Sequence, residues 1–250
     1  MNKIQTATAT DTGLTRTHNE DAVYHFQQDA NGLLIVADGM GGHQAGEIAS
    51  ALAIETIQAE LLPLIQTTAS ADSELEETLK AAVEKANRAI VDYGALHDDD
   101  ADLGTTLTAA WIQGNTAIVA NVGDSRAYLL RDNQLTQITK DHSYVGELIR
   151  AGILEPESIF DHPRRSLILR SLGAGDVVKV DLFTVMLQCG DQLLLCSDGL
   201  WEMVHDSAEI AKILTATQSA ETAAQQLIHL ANHYGGEDNI GVAIAKIKAS

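Results

Sequence analysis

Proline is scarce in this chain of 250 residues, with three in all, which argues against a long disordered segment. No stretch approaches the roughly 18 consecutive apolar residues of a membrane helix. The start, Met1-Asn2-Lys3-Ile4-Gln5, lacks the charged-then-apolar form of a signal peptide. Cysteine is almost absent: Cys189 and Cys196 lie in one apolar neighbourhood and read as reduced core residues of a cytoplasmic protein. Basic residues are few as well. Sixteen Lys and Arg stand against 35 Asp and Glu, a net charge of -19, which excludes a nucleic-acid partner and disfavours an anionic membrane. The acidic surplus fits a solubilising surface, bound divalent cations, or both. No internal repeat and no linker rich in Gly, Ser and Pro divides the chain, so residues 1–250 are expected to form a single domain and a monomer.

What is present is a set of short, strongly apolar runs. Strands are expected near Ile4–Thr10, Ala22–Gln27, Leu33–Asp38, Thr105–Ile112, Thr116–Val122 and Arg126–Leu130. Three more are expected near Val178–Val185, Gln192–Ser197 and Ile240–Ile247. Helical spacing marks Gly46–Ile65, Ser73–Tyr93, Asp206–Leu214 and Ala220–Tyr234. The helices come in pairs between blocks of strands, and Asn115 and Asn133 mark hairpin turns. That order favours an α+β layered fold over a doubly wound parallel sheet. Residues 142–175 carry short helical fragments with several Arg and His, and read as a flap inserted over a site.

Two of the apolar runs end on the same dipeptide, at Asp38-Gly39 and Asp198-Gly199, and Asp238 precedes a third run. A carboxylate at the rim of a core is costly without a partner, and several together repel unless a cation lies between them. Asp21 in Asn19-Glu20-Asp21 and Asp124 in Gly123-Asp124-Ser125-Arg126 enlarge the group. Oxygen donors without a Cys or His cluster suit Mg²⁺ or Mn²⁺ better than zinc. Arg16, five residues before Asp21, has the planar fork that binds a tetrahedral oxyanion. His43 is a candidate proton donor near neutral pH.

Seven segments in order now amount to a resemblance. They are Gly13–Asp21; Val36–His43 with Ala45-Gly46-Glu47; Gly104-Thr105-Thr106; Asn121–Arg126; Thr139–Ser143; Cys196–Leu200; and Gly236–Asn239. The chain resembles the metal-dependent protein phosphatases, the PPM or type 2C serine/threonine phosphatases, in their compact bacterial form. The resemblance implies a four-layer α-β-β-α sandwich of two antiparallel sheets flanked by helix pairs, with a flap at about 142–175. It implies hydrolysis of phosphoserine and phosphothreonine in protein substrates by a water bridging two Mn²⁺ or Mg²⁺ ions, without a phosphoenzyme. In it Asp38 would bridge the ions, with the Gly39 carbonyl on one; Asp198 and Asp238 would hold the first, and Asp21 the second. Glu20 is an additional residue close to the metals. Asp124 with Asp198 would hold a third, weaker ion. Arg16 would bind the phosphate, His43 would protonate the leaving alkoxide, and His162 belongs to the flap that governs access.

The chain departs from the family pattern at Gly241, where Thr or Ser is common, and at Trp201-Glu202-Met203. Neither change removes an expected ligand. Arg164-Arg165-Ser166 form a basic patch in the flap, which reads as an ordinary solvated surface in preference to a recognition element for acidic residues beside a phosphosite. Rival readings are a regulatory pseudophosphatase, a hydrolase of small phosphoesters, and an acidic calcium-binding domain.

Overall fold

A computed structural model describes residues 3–41, 45–65, 72–97 and 103–249. Within it the long apolar runs are strands buried on both faces. In β3 (Asn31–Met40) Leu34 and Val36 pack in one core while Leu33, Ile35 and Ala37 pack in another. The same division by alternate residues runs through β10 (Gln192–Cys196) and β11 (Ile240–Lys248). A strand with period-two side chains needs unbroken hydrophobicity only when both faces are covered. Three stacked cores therefore require four layers.

The two sheets are antiparallel. One has the order β1-β11-β10-β7-β8, adding β1 (Lys3–Asp11), β7 (Arg126–Arg131) and β8 (Gln134–Gln137). The other runs β2-β3-β5-β6-β9, with β2 (Asp21–Gln28), β5 (Leu107–Gln113), β6 (Thr116–Val122) and β9 (Asp181–Met186). Helices α1 (Ala45–Ile65) and α2 (Asp72–Leu96) cover this second sheet. Helices α5 (Ser207–Ala216) and α6 (Ala220–His233) cover the first. The α+β sandwich expected from the sequence is the one observed.

By mean hydropathy and length α1 is apolar enough to cross a membrane, although Glu47, Glu55 and Glu60 break it and it holds no run of 18 consecutive apolar residues. Its buried face explains the composition. Ala49, Ala53, Ile57 and Leu61 recur at helical spacing and pack into the core beneath, each such Leu or Ile contributing roughly 1.5–3 kcal/mol.

Three elements differ from expectation. The strand expected over Thr105–Ile112 is two pieces, β4 (Gly104–Thr105) and β5, interrupted at Thr106. Strand β8 follows a turn with positive φ at Asp132 and Asn133, as a hairpin requires, but its polar sequence carries no strand signal. Asp198 does not end a strand: it opens the short helix α4 (Asp198–Trp201). Cys189 is exposed rather than in the core, while Cys196 is buried, and both are free.

Residues 142–175 are tied down at both ends. The segment contains α3 (Tyr144–Arg150), capped by the Ser143 side chain, and a 3-10 helix at Pro156–Ile159. Ser143 bridges Ile168, and Leu172 bridges Thr105.

Candidate active site

Asp38 is the next residue on the β3 face that carries Leu34 and Val36, and its cross-strand partner in β2 is Asp21. Direct pairing puts the two side chains on one face. Thr106 fixes Asp38 by both backbone groups: its amide donates to the Asp38 carbonyl at 2.8 Å, and its hydroxyl accepts from the Asp38 amide at 3.1 Å. The ladder breaks at Thr106 because the Asp38 amide goes to this side-chain hydroxyl instead of a backbone carbonyl. Gly39 lets the first turn of α1 approach: a Cβ there would stand 2.2 Å from the Gly46 carbonyl oxygen.

Asp198 arrives from the other sheet, through Ser197. The Ser197 hydroxyl donates to Asp21 Oδ2 at 2.6 Å and accepts from the Gly241 amide at 2.8 Å, so the two sheets are stitched at the cluster. Gly241, the departure noted in the sequence, leaves room for this: a Cβ would stand 3.0 Å from Asp21 Oδ2. Asp124 lies in the turn between β6 and β7, and its carbonyl accepts from Trp201 Nε1 at 3.1 Å.

Among the described residues none of these carboxylates is in an ion pair: the buried Arg126 offsets Asp124 in part but is bound to Asp141. Burial raises the pKa of Asp21 to about 8, and the charges of Asp198 and Asp238 add to it. Burial raises Asp198 to about 7, again with Asp238 contributing. Asp38 and Asp124 are pushed well above the usual carboxylate range, first by burial and then by Asp198. Asp21 Oδ1 and Asp124 Oδ1 are buried with no hydrogen-bond partner. Groups of this kind are normally paired, so two free oxygens in one cluster call for a missing partner. Glu20 is displaced upward more mildly, chiefly by burial, and its carbonyl accepts from the Gly39 amide.

Asp238 differs from the other four. It lies at the rim, 35% exposed, and takes Arg16 in an ion pair of 2.7 Å. Accordingly no three His, Cys, Asp or Glu side chains among the described residues close around one point as they stand. Asn239 holds the Arg16 loop in place. Its Nδ2 donates to the Thr12 and His18 carbonyls, and its Oδ1 accepts from the Glu20 amide. Sequence reading included Asn239, Ser197 and Thr106 in motifs without a role; nothing in a single sequence separates a ligand from the residue that positions it.

His43 lies outside the described residues. His162 is in the flap, where its Nδ1 accepts from the Arg164 amide and its ring lies 6.0 Å from that of Tyr144. The flap reaches the cluster through another residue. Arg165 pairs with Glu202 at 3.2 Å and with Glu237 at 4.0 Å, beside Asp238, so it is not the solvated arginine expected. A cavity of about 460 Å³ lies there, bordered by Arg165, Glu202 and Glu237.

Residues 14–232 match the family profile described as protein phosphatase 2C. The chain belongs to the protein phosphatase 2C family. The serine/threonine phosphatase stp of Listeria welshimeri is 44% identical to this family member over 239 residues, which make up 95% of this chain and 93% of that one. PstP of Mycobacterium tuberculosis is 44% identical over 246 residues, 98% of this chain but 45% of that longer protein. The crystal structure of the M. tuberculosis phosphatase PstP/Ppp superposes with a TM-score of 0.88 at 40% identity, covering 100% of each chain. A second structure, the PstP catalytic domain in complex with two manganese ions, gives 0.86 at 39% identity, again over 100% of each chain.

Proposed function

We propose that this chain is a metal-dependent phosphatase of phosphoserine and phosphothreonine in proteins, acting in the cytoplasm as one domain over residues 1–250. The observation that carries the reading is the group of four carboxylates, Asp21 and Asp124 buried and Asp38 and Asp198 half-buried, with raised pKa and two unpartnered oxygens. An all-oxygen donor set of this charge suits hard divalent ions. The two manganese ions of the related PstP structure support that choice.

In this reading Asp38, with the Gly39 carbonyl, would hold two Mn²⁺ or Mg²⁺ ions together with Asp198 and Asp238 for the first and Asp21 for the second, with Glu20 beside it. Asp124 and Asp198 would hold a third, weaker ion. When bound, a pair of ions would lower the pKa of a water and neutralise phosphoryl oxygens.

The chain's own residues do the rest. Arg16 lets go of Asp238 to bind the substrate phosphate, as its fork allows. Ser197 and Thr106 keep the carboxylates oriented before substrate arrives. The flap, with His162 and Arg165, borders the route to the cluster. His43 gives its proton to the leaving alkoxide. No side chain becomes phosphorylated.

The test compares initial rates on p-nitrophenyl phosphate, a phosphothreonine peptide and an intact phosphoprotein, with Mn²⁺ present. Phosphopeptide and phosphoprotein turnover that Asp38→Asn abolishes in a folded protein supports the reading. Turnover of the small ester alone would make this a small-phosphoester hydrolase, and no turnover of any substrate would make it a binding module.

A further inference from the structure

The turn that carries Asp124 is built on a soft residue and held from outside. Gly123 has φ +107, a conformation no side chain of its own enforces. The direction in which Asp124 presents its free oxygen therefore depends on bonds the turn receives. His142, 1% exposed, supplies two of them to Gly123 itself. Its amide donates to the Gly123 carbonyl at 2.9 Å, and its Nδ1 accepts from the Gly123 amide at 3.1 Å. Nδ1 faces the Gly123 N–H and so carries no proton, which leaves the ring proton of the neutral imidazole on Nε2. Nε2 has two neighbours, Asp181 Oδ2 at 3.2 Å, which takes the proton's hydrogen bond, and Arg170 Nη1 at 3.1 Å, which is itself bound to the other Asp181 oxygen at 3.1 Å.

The same residue is the root of the flap. The His142 carbonyl accepts from the Leu169 amide at 2.7 Å, so the chain leaving for the flap and the chain returning from it meet here. One residue thus joins three parts: its main chain ties the flap's two ends, and its ring links β9 to the Asp124 turn. We propose that His142 is a positioning residue for Asp124. Its Nδ1 sets the tilt of the Gly123 peptide, and with it the reach of the Asp124 carboxylate toward a divalent ion shared with Asp198. The inference rests on the reading of Asp124 as a ligand of the weaker ion. Asp181 and Arg170 orient the ring and do not touch the turn.

Two conservative variants separate the two arms of the ring. Asn places an amide oxygen near the Nδ1 position; Gln places its polar atoms near Nε2. Mn²⁺ binding to the metal-free protein, followed by the electron paramagnetic resonance of free Mn²⁺, reads each site directly. His142→Gln should weaken the weak site about tenfold, the order expected when a buried donor loses its acceptor, and leave the tight sites unchanged. His142→Asn should stay within about twofold of wild type. Equal losses in both variants, or no loss in His142→Gln while Asp124→Asn abolishes the weak site, would overturn the inference. Retention of that site by Asp124→Asn would instead overturn the assignment of Asp124. If His142→Gln does not fold, the unmutated protein decides. As Mg²⁺ fills the weak site, the ¹⁵N resonances of His142 Nδ1 and the Gly123 amide should move together. A His142 resonance that stays still would refute the positioning role.

Discussion

Two groups of buried aspartates occur in this protein, and they are solved differently. Asp141, on the first sheet's side, accepts from Arg126 Nε and Nη2 and from Gln137, and the Arg126 guanidinium lies 3.5 Å over the Trp201 ring. Asp191 accepts from Arg131 and from the Gln188 amide. Asp21 and Asp124 are as deeply placed, Asp38 and Asp198 lie half-buried beside them, and none of the four forms an ion pair among the described residues. Burial alone does not mark a functional carboxylate; burial without a counter-charge does. A buried ion pair holds the fold, whereas an uncompensated group destabilises it until a cation arrives.

The comparison can be broken most sharply by exchanging the two kinds of aspartate. Asp38→Asn should lower the rate on a phosphothreonine peptide by about 1,000-fold or more, since several kcal/mol of metal assistance would be lost. Its metal-free form should melt no lower than wild type at pH 8, because a strained charge has been removed. Asp191→Asn should do the reverse. It strands Arg131, itself about one-third exposed, and should cost about 2 kcal/mol, or roughly 4–8 °C in Tm, with kcat within twofold. A stable but inactive Asp191→Asn protein would erase the distinction.

Arg16→Ala comes next. Loss of a charge-assisted contact with phosphate should raise KM by roughly 10- to 100-fold with little change in kcat. An unaltered KM would confine Arg16 to its ion pair with Asp238.

The pH dependence has a definite sign. Asp21 and Asp198 have folded pKa values of about 8 and about 7, above the 3.8 of a free aspartate. The folded state then holds protons that the unfolded state releases, so stability falls as pH rises from about 4 to about 8. The metal-free protein should melt several degrees lower at pH 8 than at pH 5.5, and Mn²⁺ should stabilise it more at the higher pH. Differential scanning calorimetry at the two pH values, with and without Mn²⁺, checks both.

The smallest effect is expected at Ser197. Removing its hydroxyl takes a donor from Asp21 Oδ2, and Ser197→Ala should raise the half-activating Mn²⁺ concentration a few-fold.

Much of this arrangement was legible in the sequence. Apolar runs ending on Asp38 and near Asp198 gave both the strands and the suspicion of a cation site, because hydrophobic periodicity is a local signal. The hairpin residue Asn133 was legible for the same reason. What sequence could not show depends on distant contacts. The break at Thr106 is made by Asp38, 68 residues away. The position of Asp198 in α4 rather than at a strand end follows from the turn at Ser197. Arg165 looked solvated until the fold brought Glu202 and Glu237 beside it. β8 was missed since its only partner is β7 and its side chains are largely exposed.

The central claim is that these four carboxylates are held in wait for divalent cations. Calorimetric titration of Mn²⁺ into the metal-free protein near pH 7, in two buffers of different ionisation heat, tests it most directly. Two tightly bound ions are expected, with protons released as they bind and both signals lost in Asp38→Asn. Tight binding that Asp38→Asn leaves intact, or binding without proton release, would contradict it.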